Sequence, residues 1–223
     1  MKTAFAAALA LAAAVSPLRA ADLVVERAPT LAGSAANERD SSIVLSWDNS
    51  SSSWLLAWTL GADAWVGNDF DVSTLKTFSR IREMRISCYY MWPNRVWDGF
   101  RVGVFAFEGN VPGSLMWPTS GGGQFFLPLS TQSWQTISMY WVLPGGRRSF
   151  VAAMEQCYNF PNCDPYVVDN NPTFRGHSWQ HYGGRWQPLE GTYGYRNLML
   201  RVVVENMVGL LPSSIGRVKA LYH

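Results

Sequence analysis

From position 43 onward, apolar residues recur at every second position rather than every third or fourth. That is the period of strands with one buried face. Arg101-Val102-Gly103-Val104-Phe105-Ala106-Phe107 and Leu198-Met199-Leu200-Arg201-Val202-Val203-Val204 show it most clearly. The pattern predicts strands over 43–47, 54–59, 62–66, 80–92, 100–107, 124–129, 135–142, 149–156, 166–169, 178–182, 185–189 and 198–205. Clusters of Gly, Pro, Asn and Ser at 49–53, 94–99, 108–113, 120–123, 144–146 and 170–172 close turns between them. A helical apolar stripe is suggested only around 72–84. Many short strands at this spacing point to an all-β chain rather than βαβ units. The expected architecture is a two-sheet antiparallel β-sandwich of jelly-roll or Greek-key type.

Outside that region the pattern changes. Residues 1–20 carry an early Lys2, an apolar Ala/Leu-rich run, Pro17 and a terminal Ala20. They read as a cleaved secretory signal, the run being shorter than the roughly 20 residues a membrane helix needs. Residues 21–42 have no sustained period and read as a leader or linker; the domain spans 43–205, and 206–223 form a C-terminal tail. No later segment is a candidate membrane span. The expected location is secreted: extracellular, cell surface or periplasmic. Cleavage removes Lys2 and Arg19 from 18 basic residues and none of the 16 acidic ones, leaving a formally neutral chain. A basic footprint for nucleic acid is therefore missing.

The stretch GHSWQHYGGRWQPLEG, 176–191, concentrates aromatic and imidazole groups. Gly183-Gly184 suits a two-residue type I′ turn, in which both central positions need positive φ. That register opposes Tyr182 to Arg185, His181 to Trp186, Gln180 to Gln187 and Trp179 to Pro188. His177, Trp179, His181, Trp186 and Pro188 then share one face, and Ser178, Gln180, Tyr182, Arg185 and Gln187 the other. The aromatic face is expected to pack inward and the polar face outward; the alternative is an open platform on which sugar rings stack. His177 and His181 lie about 13 Å apart along a strand, too far to share one metal ion.

The chain has 11 tryptophans. Trp92 and Trp97 bracket a loop, where they either plug the end of the sandwich or bind glycan or another protein. The candidate ligand-binding residues are thus Trp179, His181, Trp186, Trp92 and Trp97. In NDFDV, Asp69 and Asp71 lie on one side of an extended segment, an arrangement open to Ca²⁺; turn capping explains Asn68 and Asp69 equally well. No other cofactor is indicated. No nucleophile elbow, zinc-protease, P-loop or dinucleotide motif occurs, and no residue is singled out as catalytic. A glycan hydrolase acting through Glu108, Glu155, Asp98 or Asp169 stays as an alternative.

Of the three cysteines, Cys157 and Cys163 flank the turn-forming Asn159-Phe160-Pro161-Asn162. In an oxidising compartment they are expected to pair. Cys88 shares the alternating face of Met84 and Ile86 and reads as a buried thiol.

RVGVFAFEGNVPGSLMWP, QTISMYWVLPGGRRSFVAAMEQ and PYVVDNNPTFRGHSWQHYGGRWQPLEGTYGYRNLMLRVVVE together resemble a bacterial secreted module. This is the jelly-roll-like domain of large surface and extracellular proteins, which often precedes a sorting or anchoring segment. The resemblance spans about 43–205. It implies a non-catalytic β-sandwich for adhesion, glycan contact or display, and the family pattern carries no catalytic residues to transfer. The expected function is a secreted binding or surface module contacting carbohydrate. The alternative is a structural or accessory subunit of a surface assembly, with another surface protein as partner.

Overall fold

The computed structural model describes residues 23–27, 42–59, 63–73, 79–89, 99–118, 124–126, 132–144, 146–160, 163, 165–169, 175–189 and 197–206. Among them are fourteen strands, numbered in chain order, in two seven-stranded sheets. The first sheet runs β1 (Leu23–Arg27), β3 (Ser52–Trp58), β11 (Tyr166–Asp169), β5 (Ser79–Tyr89), β14 (Leu200–Asn206) and β2 (Ser42–Leu45); β9 (Gln132–Val142) also pairs with β5. The second runs β13 (Arg185–Pro188), β12 (Ser178–Tyr182), β4 (Ala64–Asp71), β10 (Ser149–Gln156), β6 (Gly99–Glu108) and β7 (Val111–Trp117), with β8 (Gln124–Phe126) added on β6. The strand pairings are antiparallel, and the architecture is the two-sheet all-β one that the alternation predicts.

The main core lies between the sheets. Leu56, Trp58, Ile81, Met84, Ile86, Val202 and Val204 face it from the first sheet, and Val66, Phe70, Val102, Val104, Phe150 and Met154 from the second. Alternation along β10 sends Phe150, Ala152 and Met154 into this core and Val151, Ala153 and Glu155 to the far side.

The far side of the second sheet holds a core of its own. Phe105, Val151 and Ala153 are buried there, with Trp65, Phe107 and Trp186 packed against them. Phe105 and Trp186 meet edge to face at 5.1 Å. Four steps of about 4.8 Å separate β6 from β13 in a flat sheet, or about 19 Å. The rings can meet only because the sheet curls until its edges approach, β13 coming near β7. Gly67 and Ala153, paired across β4 and β10, keep the concave floor thin enough for that curl.

Buried side chains of polar type tie the two sheets together. Asn68 on β4 donates to the carbonyls of Leu198 (2.9 Å) and Leu200 (3.0 Å), and its oxygen accepts from Ser178 Oγ at 2.8 Å. At the other end of the sandwich, Gln156 accepts from Trp58 N at 2.9 Å and donates to Trp58 O at 2.7 Å. Asp169 accepts from Asn197 N, Asn197 Nδ2 and Asn49 N. The outer face of the first sheet carries ion pairs instead: Arg80 and Arg82 with Glu205, Arg82 and Arg85 with Glu83, and Arg201 with Asp48.

Several expectations need correction. The leader contributes β1, which pairs with β3 from Leu23↔Trp58 to Arg27↔Trp54. The 108–113 loop is a tight turn at Gly109-Asn110, both with positive φ, and the chain continues from it directly into β7. The segment around Asp69 and Asp71 is extended, as expected, and forms the end of β4, so turn capping does not apply to Asn68 and Asp69. The expected Cys157–Cys163 disulfide is not formed, and none of Cys88, Cys157 and Cys163 is in a disulfide. Cys157 Sγ points back at the carbonyl of Glu155 (3.8 Å), whereas Cys163 is buried beside Tyr166, whose hydroxyl is raised well above its usual range by burial. Among the described residues, no helix is long and apolar enough to cross a membrane.

Candidate functional site

The hairpin forms in the expected register, Trp179↔Pro188, Gln180↔Gln187, His181↔Trp186 and Tyr182↔Arg185. Gly183 and Gly184 sit at φ +63° and +81°, as its turn demands. The orientation of its faces departs from the expectation. Ser178 and Gln180 are fully buried and point into the main core, opposite Asn68 and Val66. The aromatic face turns into the hollow of the curled sheet.

There Trp179 is buried, edge-on to Phe107 at 5.7 Å. Trp186 is half-buried between Phe105 and His181, the latter at 5.3 Å. Burial lowers the His181 imidazole pKa, favouring the neutral ring. These rings cross at steep angles, so they do not form one flat platform. Trp92, Trp97 and Asp98 lie outside the described residues.

One end of the curled sheet gathers the polar chemistry. Asp69, near the end of β4, is buried, and its carboxylate is fully engaged. Oδ1 accepts from Trp179 Nε1 at 2.7 Å, and Oδ2 lies 2.8 Å from His177 Nδ1. Its carbonyl accepts from Trp47 Nε1 at 2.6 Å, and its amide donates to His177 O at 3.0 Å. The His177 ring then lies flat on Trp47, centroids 3.6 Å apart and planes within 7°. The buried carboxylate thus locks a Trp–His stack whose imidazole keeps one edge toward solvent.

Beside it a cleft of about 410 Å³ opens between the end of β6 and the start of β10, lined by Phe107, Glu108, Gly146, Arg147, Arg148 and Ser149. Ser149 Oγ donates to Phe107 O at 3.2 Å, and Arg147 is ion-paired with Glu108. A smaller depression of about 230 Å³ lies against Trp47, Phe70 and Asp71. Asp71 does not join Asp69: its carboxylate accepts from Ser73 N (2.7 Å) and Ser73 Oγ (2.9 Å). Among the described residues no three His, Cys, Asp or Glu side chains are placed to hold a metal.

Of the carboxylates named for a hydrolase, the three among the described residues, Glu108, Asp169 and Glu155, do not converge. Glu108 borders this cleft and Asp169 is locked into its clamp in the first sheet. Glu155 lies six residues along β10 from Ser149, about 20 Å away. There it is buried, with Arg101 Nε 2.6 Å from Oε2 and Arg101 Nη2 2.9 Å from Oε1. Burial pushes its pKa up to about 7 from an ordinary 4.5; Arg101 opposes the shift and Asp63 adds to it. An acid raised on folding binds its proton more tightly in the native state. Its contribution to stability is therefore full below about pH 4.5 and lost as pH rises toward 7. Urea unfolding across that range is expected to show a loss of about 2–3 kcal/mol from this group. Glu155→Gln should flatten the slope; an unchanged slope in the variant contradicts the assignment.

Trp47, His177 and Arg147-Arg148 carry this site, and sequence reasoning did not assemble them. The adjacent arginines after Gly145-Gly146 were the one local signal. No protein-family model, curated protein or solved structure matches the chain.

Proposed function

We propose that this protein is an exported, non-catalytic β-sandwich module that binds saccharide at the rim formed by the ends of β4 and β6 and the starts of β10 and β12. The supporting observation is the open cleft of about 410 Å³ beside Phe107, with guanidinium, carboxylate and hydroxyl groups along it. The Trp47–His177 stack stands at the same end of the sheet. Sugars are held by planar rings against their C–H faces and by fixed planar hydrogen-bonding groups against their hydroxyls. In this reading Trp179 and Trp186 support the rim from beneath: Trp179 orients Asp69, and Asp69 orients His177.

The test is retention of the purified chain on a panel of insoluble polysaccharides. The expected result is retention on at least one, weakened about tenfold or more by His177→Ala with the fold intact by circular dichroism. Absence of retention on every polymer removes the reading.

A further inference from the structure

Two hollows lie side by side at the rim. Ser149 lines the cleft of about 410 Å³ and Asp71 lines the depression of about 230 Å³. These two residues are direct partners in the pairing of β10 with β4. Opposed residues of an antiparallel pair share a face, so one pair of side chains separates the hollows. Just beyond it Val72 N donates to Arg148 O at 2.7 Å, which fixes their spacing.

The two walls differ in kind. In the cleft, polar groups are set in place: Arg147 is ion-paired with Glu108, and Ser149 Oγ donates to Phe107 O at 3.2 Å. In the depression, Leu45, Trp47 and Phe70 supply apolar surface. Trp47 is held there by its bond to Asp69 O and by the His177 ring. At about 230 Å³ the depression falls below the roughly 300 Å³ at which ligand pockets begin, which suits a subsite for part of a ligand. From β6 to β4 is two strand spacings, about 10 Å, more than one pyranose ring covers. Linked sugars carry hydroxyls at their ring edges and C–H groups on their faces, so a chain can use both walls.

We infer that the rim binds a saccharide chain, with linked sugar units seated in both the cleft and the depression, rather than a single sugar. This inference rests on the saccharide reading above and adds the length of the ligand.

The experiment is calorimetric titration of the full chain with the mono-, di- and tetrasaccharides of cellulose, chitin, xylan and mannan, beside retention on those four polymers. In at least one series the tetrasaccharide should bind at least tenfold tighter than the monosaccharide, a comparison that needs no variant. Ser46→Arg, which sets a long side chain in the lining of the depression, should weaken tetrasaccharide binding about tenfold. Arg147→Ala, which dismantles the paired wall of the cleft, should do the same, because one ligand needs both hollows. Thermal unfolding of both variants should stay near that of the parent chain. Equal affinity for monosaccharide and tetrasaccharide overturns the inference, and so does tetrasaccharide binding that only one of the two variants weakens. Retention on a polymer without binding of any oligosaccharide overturns it while leaving the saccharide reading in place. Binding to none of the oligosaccharides or polymers removes both.

Discussion

Replacing Asn68 by alanine should lower the unfolding free energy by about 3–5 kcal/mol, because one buried amide satisfies three partners in two sheets. Its nitrogen closes the carbonyls of Leu198 and Leu200, and its oxygen receives the Ser178 hydroxyl. Ser178 Oγ in turn accepts from Leu198 N at 3.0 Å. Truncation takes the amide donor from the Leu200 carbonyl and the acceptor from the Ser178 hydroxyl, while the Leu198 carbonyl keeps its bond from Leu200 N at 2.8 Å; each buried group left without a partner costs about 1–3 kcal/mol. Ser178→Ala removes one arm of the network and should cost about 1–2 kcal/mol. Equilibrium urea unfolding of both variants checks the order. A smaller loss for Asn68→Ala than for Ser178→Ala contradicts the role of the amide as the inter-sheet tie.

The second large effect is expected at Gly67. A Cβ there would lie 2.5 Å from Ala152 O, 2.7 Å from Ala153 Cβ and 2.9 Å from Ala153 Cα. Two of those three are backbone atoms, so relief requires β4 and β10 to separate. Gly67→Ala should cost about 3 kcal/mol, lowering the melting temperature by roughly 6–12 °C for a chain of this size. Gly103 is the comparison. Its Cβ would meet only side-chain ends, Leu115 Cδ1 at 2.8 Å, Trp65 Cζ3 at 3.0 Å and Phe105 Cε2 at 3.2 Å. Those ends can move, so Gly103→Ala should cost less than half as much. Calorimetry of the two variants settles the comparison, and equal losses contradict the backbone argument.

The hairpin shows how far local pattern carries. Its turn, register and the grouping of its side chains onto two faces follow from Gly183-Gly184 and a period of two, because strand geometry alone sets them. Which face meets which core does not follow. Ser178 is buried because Asn68, more than a hundred positions away, lies opposite it and accepts its hydroxyl, and Gln180, on the same face, is carried inward opposite Val66. The same holds for Asp69. Beside Asp71 it reads as open to a cation or as a turn cap, and only the pairing of β4 with β12 brings Trp179 and His177 to it. The cysteines fall in the same class, since short spacing says nothing of where two thiols point.

By itself, then, the sequence determined an all-β chain, most of its strands and the register of its best hairpin, since each depends on neighbours within a few residues. Tertiary structure decided the rest: the curl that gives the second sheet its own aromatic core, the inward turn of the polar face, and the meeting of Trp47, Asp69, His177 and Trp179. The reason is physical. A strand carries two faces of fixed composition, and nothing local sets which of them is covered, or by what. The packing of distant strands settles that, by how small residues such as Gly67 let a sheet bend and by which buried polar atoms must find partners across it.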